Sequence, residues 1–292
     1  MSPHQLLASC WTTAGDAAPL RGDERSPFAI GDRIAAVAAA GWQGFGINQA
    51  DLAATRSDPG WSVIRSILDD HGISHVEVEF LNEWWTDDER RRSSDAVRFE
   101  LLAAAEVLRA GHIKVGSEFS GAPVEPDRFA AEFDILCNQA AEAGTRIALE
   151  PMPFSSLPTI ESGARFINEV GNPAGGLCID SWHVFRAGTD PSELPTILAP
   201  AIIFAAELSD ADAEVVGTLF EDTINNRRLC GQGTWDLPSL VRAMRAAGFD
   251  GPWGVEIISN EQRARPLEEA VRLARETTLQ VFAAAESGEW PD

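Results

Sequence analysis

Four acidic residues close four successive apolar runs of the chain: Glu150 in RIALEP, Asp180 in GLCIDSWH, Glu207 in IIFAAELSD and Glu256 in PWGVEIIS. An unpaired charge taken out of water costs several kcal/mol or more, so carboxylates at the ends of buried strands need a use for that charge. A shared divalent cation is the most economical one. Pairing with an arginine, or capping the next helix, is the plain alternative for one or two of them. With no thiolate in the set and 5 histidines in the whole chain, hard oxygen donors favour Mn2+ or Mg2+ over zinc.

Other residues stand where they could reach the same place. His183 follows Asp180 by three positions and could complete a metal shell or hold a substrate hydroxyl. Arg228, in NNRRLCGQG, could clamp a hydroxyl, a carboxylate or a phosphate, or be an ordinary exposed cation. In HVEVEFLNEWW, Glu79 followed by Trp84 and Trp85 suits the hydroxyls and the CH face of a sugar, unless the tryptophans merely cover the core. Lys114 in HIKVG is unusual inside a short strand, where it either balances the acidic cluster or touches substrate. His75 and His112 begin their strands, at the end away from the chemistry, and read as structural.

The elements that must position these side chains are short apolar runs alternating with amphipathic helical segments, which means βα units. Eight candidate strands occur, at 5–11, 44–48, 75–80, 113–116, 146–150, 176–180, 202–208 and 253–258. Eight closes a (β/α)8 TIM barrel, and a chain of 292 residues suits one such barrel over 1–292 as a single domain. Asp32 opens one helix, and Val63, Ile64, Ile67 and Leu68 share the face of another. The order helix, glycine, strand recurs in AAAGW, DDHGI, LRAGH, AEAGT and RAAGF. The polar segment 210–235, between the seventh and eighth strands, is the expected active-site loop. A doubly wound open sheet is the structural alternative, but no GxGxxG follows an early strand.

With 45 acidic against 23 basic residues, the formal charge of −22 opposes nucleic-acid binding, and no Lys/Arg stripe acts against it. Cys10, Cys137, Cys178 and Cys230 are widely spaced without a CxxC pair, which argues against disulfides and zinc clusters. The N-terminal MSPHQLLASCWTTAG lacks a basic start, and no run of about 18 apolar residues offers a membrane span, so a cytoplasmic protein is expected. No GxSxG, Walker loop, kinase set or HExxH occurs, which removes serine hydrolases, NTPases and zincins.

The set ALEPMPF, CIDSWH, ELSDAD and WGVEIIS resembles the xylose isomerase-like TIM-barrel superfamily, the sugar phosphate isomerase/epimerase group with its tagatose-type epimerases and inosose dehydratases. The resemblance implies metal ligation at Glu150, Asp180, position 207 and Glu256, with Glu150 and Glu256 as the acid/base pair. It departs at two places: Glu207 stands where histidine is usual, giving a four-carboxylate shell, and Met152 stands where a histidine often follows the strand-five Glu. Asp210 keeps the spacing of the family's H-x-x-D, and His183 matches its D-x-x-H, a ligand or a substrate contact. The implied activity is isomerisation or epimerisation of a keto- or aldo-sugar, or a derivative, by proton abstraction through a metal-stabilised enediolate. A lyase or dehydratase expelling a leaving group by β-elimination, and a non-catalytic sugar-binding barrel, are the alternatives. A nuclease is disfavoured by charge. The implied partners are a small-molecule sugar and, as in many members, a second copy in a homo-oligomer.

Overall fold

The computed structural model of the protein describes residues 4–288. Eight parallel strands pair in chain order and close on themselves: β1 (Leu6–Ala8), β2 (Gly44–Asn48), β3 (His75–Leu81), β4 (His112–Val115), β5 (Ile147–Leu149), β6 (Gly175–Asp180), β7 (Ile203–Leu208) and β8 (Trp253–Val255). The expected barrel is therefore present. Its first, fifth and last strands are shorter than the apolar runs suggest. Trp11 belongs to a helical turn over Cys10–Thr13, and Glu150 and Glu256 lie one residue past their strands.

Between the strands run helices whose ends are signalled locally. The helix Pro126–Glu142 has proline in its first turn and Glu125 accepting from the Asp127 and Arg128 amides. Ile160–Val170 opens on a capping box between Thr159 and Ser162. The helix expected to open at Asp32 spans Ile30–Ala39, with Ala29 at its cap and Asp32 in its first turn. The glycine punctuation holds with one exception. In LRAGH it is Arg109, at φ 54°, that takes the left-handed turn after the helix Glu89–Leu108, while Gly111 does not.

The barrel wall separates two environments. Residues such as Leu6, Phe45, Ile47, Val76, Val78, Ile113, Val115, Leu149 and Leu177 belong to one large apolar cluster with the surrounding helices. The alternate positions face inward and are small or charged: Glu77, Glu79, Lys114, Asp180 and Glu207 are all nearly solvent-free. Room for them comes from glycine. A Cβ on Gly254, which pairs with Glu207 across β7 and β8, would lie 2.7 Å from the Glu207 Cγ. Among the described residues no helix is long and apolar enough to cross a membrane.

Candidate active site

The C-terminal ends of β5 to β8 deliver Glu150, Asp180, Glu207 and Glu256 to one place, where each offers a ligand atom and these atoms all lie within 4.8 Å of one another. All four are buried. A second grouping, Glu150, Asp180 and His183, meets the same criterion. Two atoms there are free to take up a partner: Glu150 Oε1 and His183 Nδ1 are buried without a hydrogen bond. His183 Nε2 stands 3.3 Å from that same Glu150 oxygen. The donor chemistry and the unfilled valences fit a divalent cation.

Two buried cations hold the cluster together. Lys114 Nζ donates to both oxygens of Glu207, at 2.9 and 3.0 Å, and to Glu256 Oε1 at 2.9 Å, and it also pairs with Glu79. Arg227 Nη1 reaches Asp180 Oδ2 at 2.6 Å and Glu256 Oε2 at 3.2 Å, while its Nε and Nη2 donate to Thr223. Ser9 adds a hydroxyl donor to Glu256 at 3.0 Å.

These contacts sort the acids by proton affinity. Against the upward push of burial, Lys114 and Arg227 bring Glu256 down to about 2, so it stays ionised. Burial raises Glu207 well above the ordinary carboxylate range, with Glu256 adding to it and Lys114 opposing. Burial likewise raises Asp180 despite Arg227, and pushes Glu79 up to about 8 against the pull of Lys114. Lys114 is raised well above its usual value: burial alone would lower it, and the surrounding carboxylates overcome that.

Above the acids opens a cavity of about 240 Å³. Glu79, Glu150, His183, Arg227 and Glu256 form its polar floor, and Trp11, Leu20, Phe80, Phe119, Met152, Phe154 and Phe220 are among its apolar walls. Asp180, Glu207 and Lys114 do not line it and sit beneath that floor.

Two residues expected to contact substrate lie elsewhere. Trp84 is 1% exposed, its Nε1 donates to the Gly116 carbonyl at 2.8 Å, and its ring packs on Phe129 and Phe133. It is core, as is its neighbour Trp85. Arg228 points outward to Asp212 and Glu261 with its side chain 41% exposed. Its neighbour Arg227, which sequence reasoning passed over, turns in. The cause is an antiparallel bridge between Asp210 and Arg228: successive residues of an extended segment face opposite ways, so a pair of adjacent arginines is divided between solvent and site. Lys114 is satisfied by carboxylates rather than facing the cavity. The apolar wall was missed as well, because its members come from separate strands, helices and loops without a shared spacing.

Residues 34–277 match the profile of a family described as xylose isomerase-like TIM barrel. A 3-dehydroshikimate dehydratase of Pseudomonas putida is 24% identical over 241 residues, covering 80% of this chain and 37% of that protein. An inosose isomerase of Bacillus subtilis is 29% identical over 150 residues, 51% of this chain and 52% of that one. The chain thus spans about half or less of the curated relatives it matches. Among solved structures, an IolI protein with a bound zinc atom superposes with a TM-score of 0.79 at 20% identity, covering 97% of this chain and 99% of that one. An L-ribulose 3-epimerase superposes with 0.74 at 16% identity, covering 98% and 96%.

Proposed function

The chain belongs to the xylose isomerase-like TIM-barrel family, and from that premise we propose that it is a divalent-metal-dependent sugar isomerase or epimerase that moves a proton on the carbon beside a carbonyl. The observation that carries this reading is the convergence of Glu150, Asp180, Glu207 and Glu256 within ligand distance of one another at the base of a cavity that opens to the surface. Glu150, Asp180 and Glu256 would hold the metal, with Glu207 or His183 completing the set. The oxygen-rich donors favour Mn2+ or Mg2+. When bound, the cation supplies Lewis-acid polarisation of a carbonyl and its adjacent hydroxyl.

The remaining roles belong to the chain. Glu256 is held by Lys114 and Ser9 on Oε1 and by Arg227 on Oε2, and it keeps a fixed negative charge at the floor. Glu150 keeps a bare oxygen beside His183, which suits it to accept and return a proton, with His183 able to share it. The pair Glu150 and Glu256, expected to act on opposite sides of the substrate carbon, therefore differs in readiness, and Glu150 is the better proton carrier. With a substrate seated, the apolar walls would displace water, which would strengthen the charge interactions at the floor.

A dehydratase is the second reading. It is favoured by the similarity to the Pseudomonas putida enzyme, which extends over 80% of this chain, and by a floor that could abstract the same proton before expelling a β-hydroxyl. The test is incubation of the metal-supplemented protein with neutral keto-sugars and keto-inositols in D2O, read by NMR. Deuterium gain beside the carbonyl supports proton abstraction, and accompanying loss of water selects the dehydratase. Absence of exchange from every compound with Mn2+, Mg2+, Co2+ and Zn2+ supplied in turn would sink the reading, as would normal exchange by Glu150→Gln.

A further inference from the structure

The walls of the cavity are more specific than its floor. Phe119 and Phe220 face each other with ring planes 5° apart and centroids 6.4 Å apart, and Phe154 meets Phe220 edge-on at 5.8 Å. Phe154 also abuts the ring of His183, so this aromatic surface runs from the rim directly down to the floor. Trp11 and Leu20 also line the cavity. Leu20 is 67% exposed, an unusual state for a large apolar side chain at a cavity mouth. Phe220 is held in place by its helix, Leu219–Asn225, whose start is fixed by reciprocal bonds between Thr218 and Glu221.

Charge narrows the choice further. Arg227 is the single lysine or arginine among the described residues lining the cavity, and each of its nitrogens is already engaged by Thr223, Asp180 or Glu256. The other ionisable groups there, His183 aside, are the acids Glu24, Glu79, Glu150 and Glu256. Apart from the metal that Glu150 and Glu256 would hold, a phosphate or carboxylate on the substrate would meet no unengaged lysine or arginine among the described lining residues, only the further carboxyl groups of Glu24 and Glu79.

Resting on the proposed proton-transfer chemistry, we infer that the substrate is an uncharged hydroxy-carbonyl ring compound bearing an apolar, aryl-like substituent that lies against Phe119, Phe154 and Phe220. Polyhydroxylated ring atoms meet the acidic floor, and the substituent is buried by the wall. Phosphorylated sugars and carboxylate-bearing ring acids are excluded.

The experiment measures binding separately from chemistry. Calorimetry on the metal-loaded protein compares the methyl and phenyl 3-keto-hexopyranosides, whose ring carbonyl stays free because the glycosidic bond is at the anomeric carbon, with the 6-phosphate of the methyl one, and D2O exchange is followed on the same three. The phenyl glycoside is expected to bind on the order of tenfold more tightly than the methyl one, with the phosphate weakest. Phe220→Ala and, as an independent variant, Phe119→Ala are each expected to erase the phenyl preference, read as the ratio of the two glycoside affinities within each variant. Equal affinity for the two glycosides, or tighter binding of the phosphate, overturns the inference. If the methyl glycoside exchanges without any phenyl preference, the inference falls while the proposed function stands. If no compound binds or exchanges, both fall.

Discussion

Lys114 does for three carboxylates what an exposed lysine could not: it neutralises part of Glu79 and Glu207 inside the barrel, where among the described residues no other cation pairs with them, and it shares Glu256 with Arg227. Breaking such a buried arrangement by removing one member leaves uncompensated charge and typically costs about 3–5 kcal/mol. Lys114→Met is therefore expected to lower unfolding free energy by about that much in urea titrations. Adding Glu207→Gln should recover a good part of the loss, because the two partners leave together. Additive losses would contradict the pairing. Glu79 gives a second, pH-dependent consequence. Burial takes it from an ordinary 4.5 to about 8 against the pull of Lys114. The folded protein thus keeps a proton that the unfolded chain has released between those values. The stabilisation from this group is complete below pH 4.5 and disappears as the pH climbs to about 8, with a slope of at most about 1.4 kcal/mol per pH unit. Urea midpoints of the metal-free protein should fall across that window, and Glu79→Gln should make the fall shallower. An unchanged slope would show that Glu79 does not titrate there. Glu207 and Asp180, also raised, account for the slope that remains.

At the scale of elements, the segment between β7 and β8 decides which arginine serves the site. Asp210 anchors it: its carboxylate accepts the amides of Ala211, Gly231 and Trp235, and its backbone exchanges both bonds with Arg228. Gly233 packs so closely that a Cβ would lie 2.3 Å from the Ala211 carbonyl and the Asp210 Oδ1. Asp210→Ala should leave three amide donors wanting and cost about 1–3 kcal/mol. Gly233→Ala should act in the same direction by steric conflict. In both, amide hydrogen exchange at Gly231 and Trp235 should quicken and proton-transfer activity should drop with the loss of Arg227 placement. Native protection at those amides in Asp210→Ala would refute the anchoring role. This segment was legible only in part. Its place between the last two strands and its polarity announced a loop near the chemistry, but a helix lies within it, and the inward turn of Arg227 follows from the bridge between its neighbour Arg228 and Asp210, 18 residues back along the chain from Arg228. The strands were easier to read, since an apolar run marks all eight and a glycine precedes five of them. What the runs concealed was their inner face: HVEVEF and HIKVG alternate apolar with polar because the barrel interior carries Glu77, Glu79, His112 and Lys114.

For the molecule as a whole, closing the barrel gathers charges that are far apart in the unfolded chain. Glu77, Glu79, Glu150, Asp180, Glu207 and Glu256 become buried together, and Lys114 and Arg227 offset only a part of them. The strand-end acids were visible in the sequence because each terminates an apolar run, whereas Trp84 misled because an aromatic next to a strand end serves the core or the cavity equally well on pattern alone. The excess negative charge exists in the folded state and is diluted in the unfolded one, so a divalent cation at Glu150, Asp180 and Glu256 should favour folding by mass action. At a free concentration of 100 times its dissociation constant the gain is about 2.7 kcal/mol. For a chain of this size each kcal/mol moves the melting temperature by about 2–4 °C, so a rise of several degrees is expected with Mn2+ or Mg2+ and should be reversed by a chelator. General screening of the −22 charge is a competing cause. NaCl at matched ionic strength separates the two, since it should produce little of the shift. Glu150→Gln and Asp180→Asn should each remove the metal-induced part while leaving the salt response intact. Equal shifts from NaCl and Mn2+, or a full Mn2+ shift in both variants, would mean that the barrel mouth does not hold the ion.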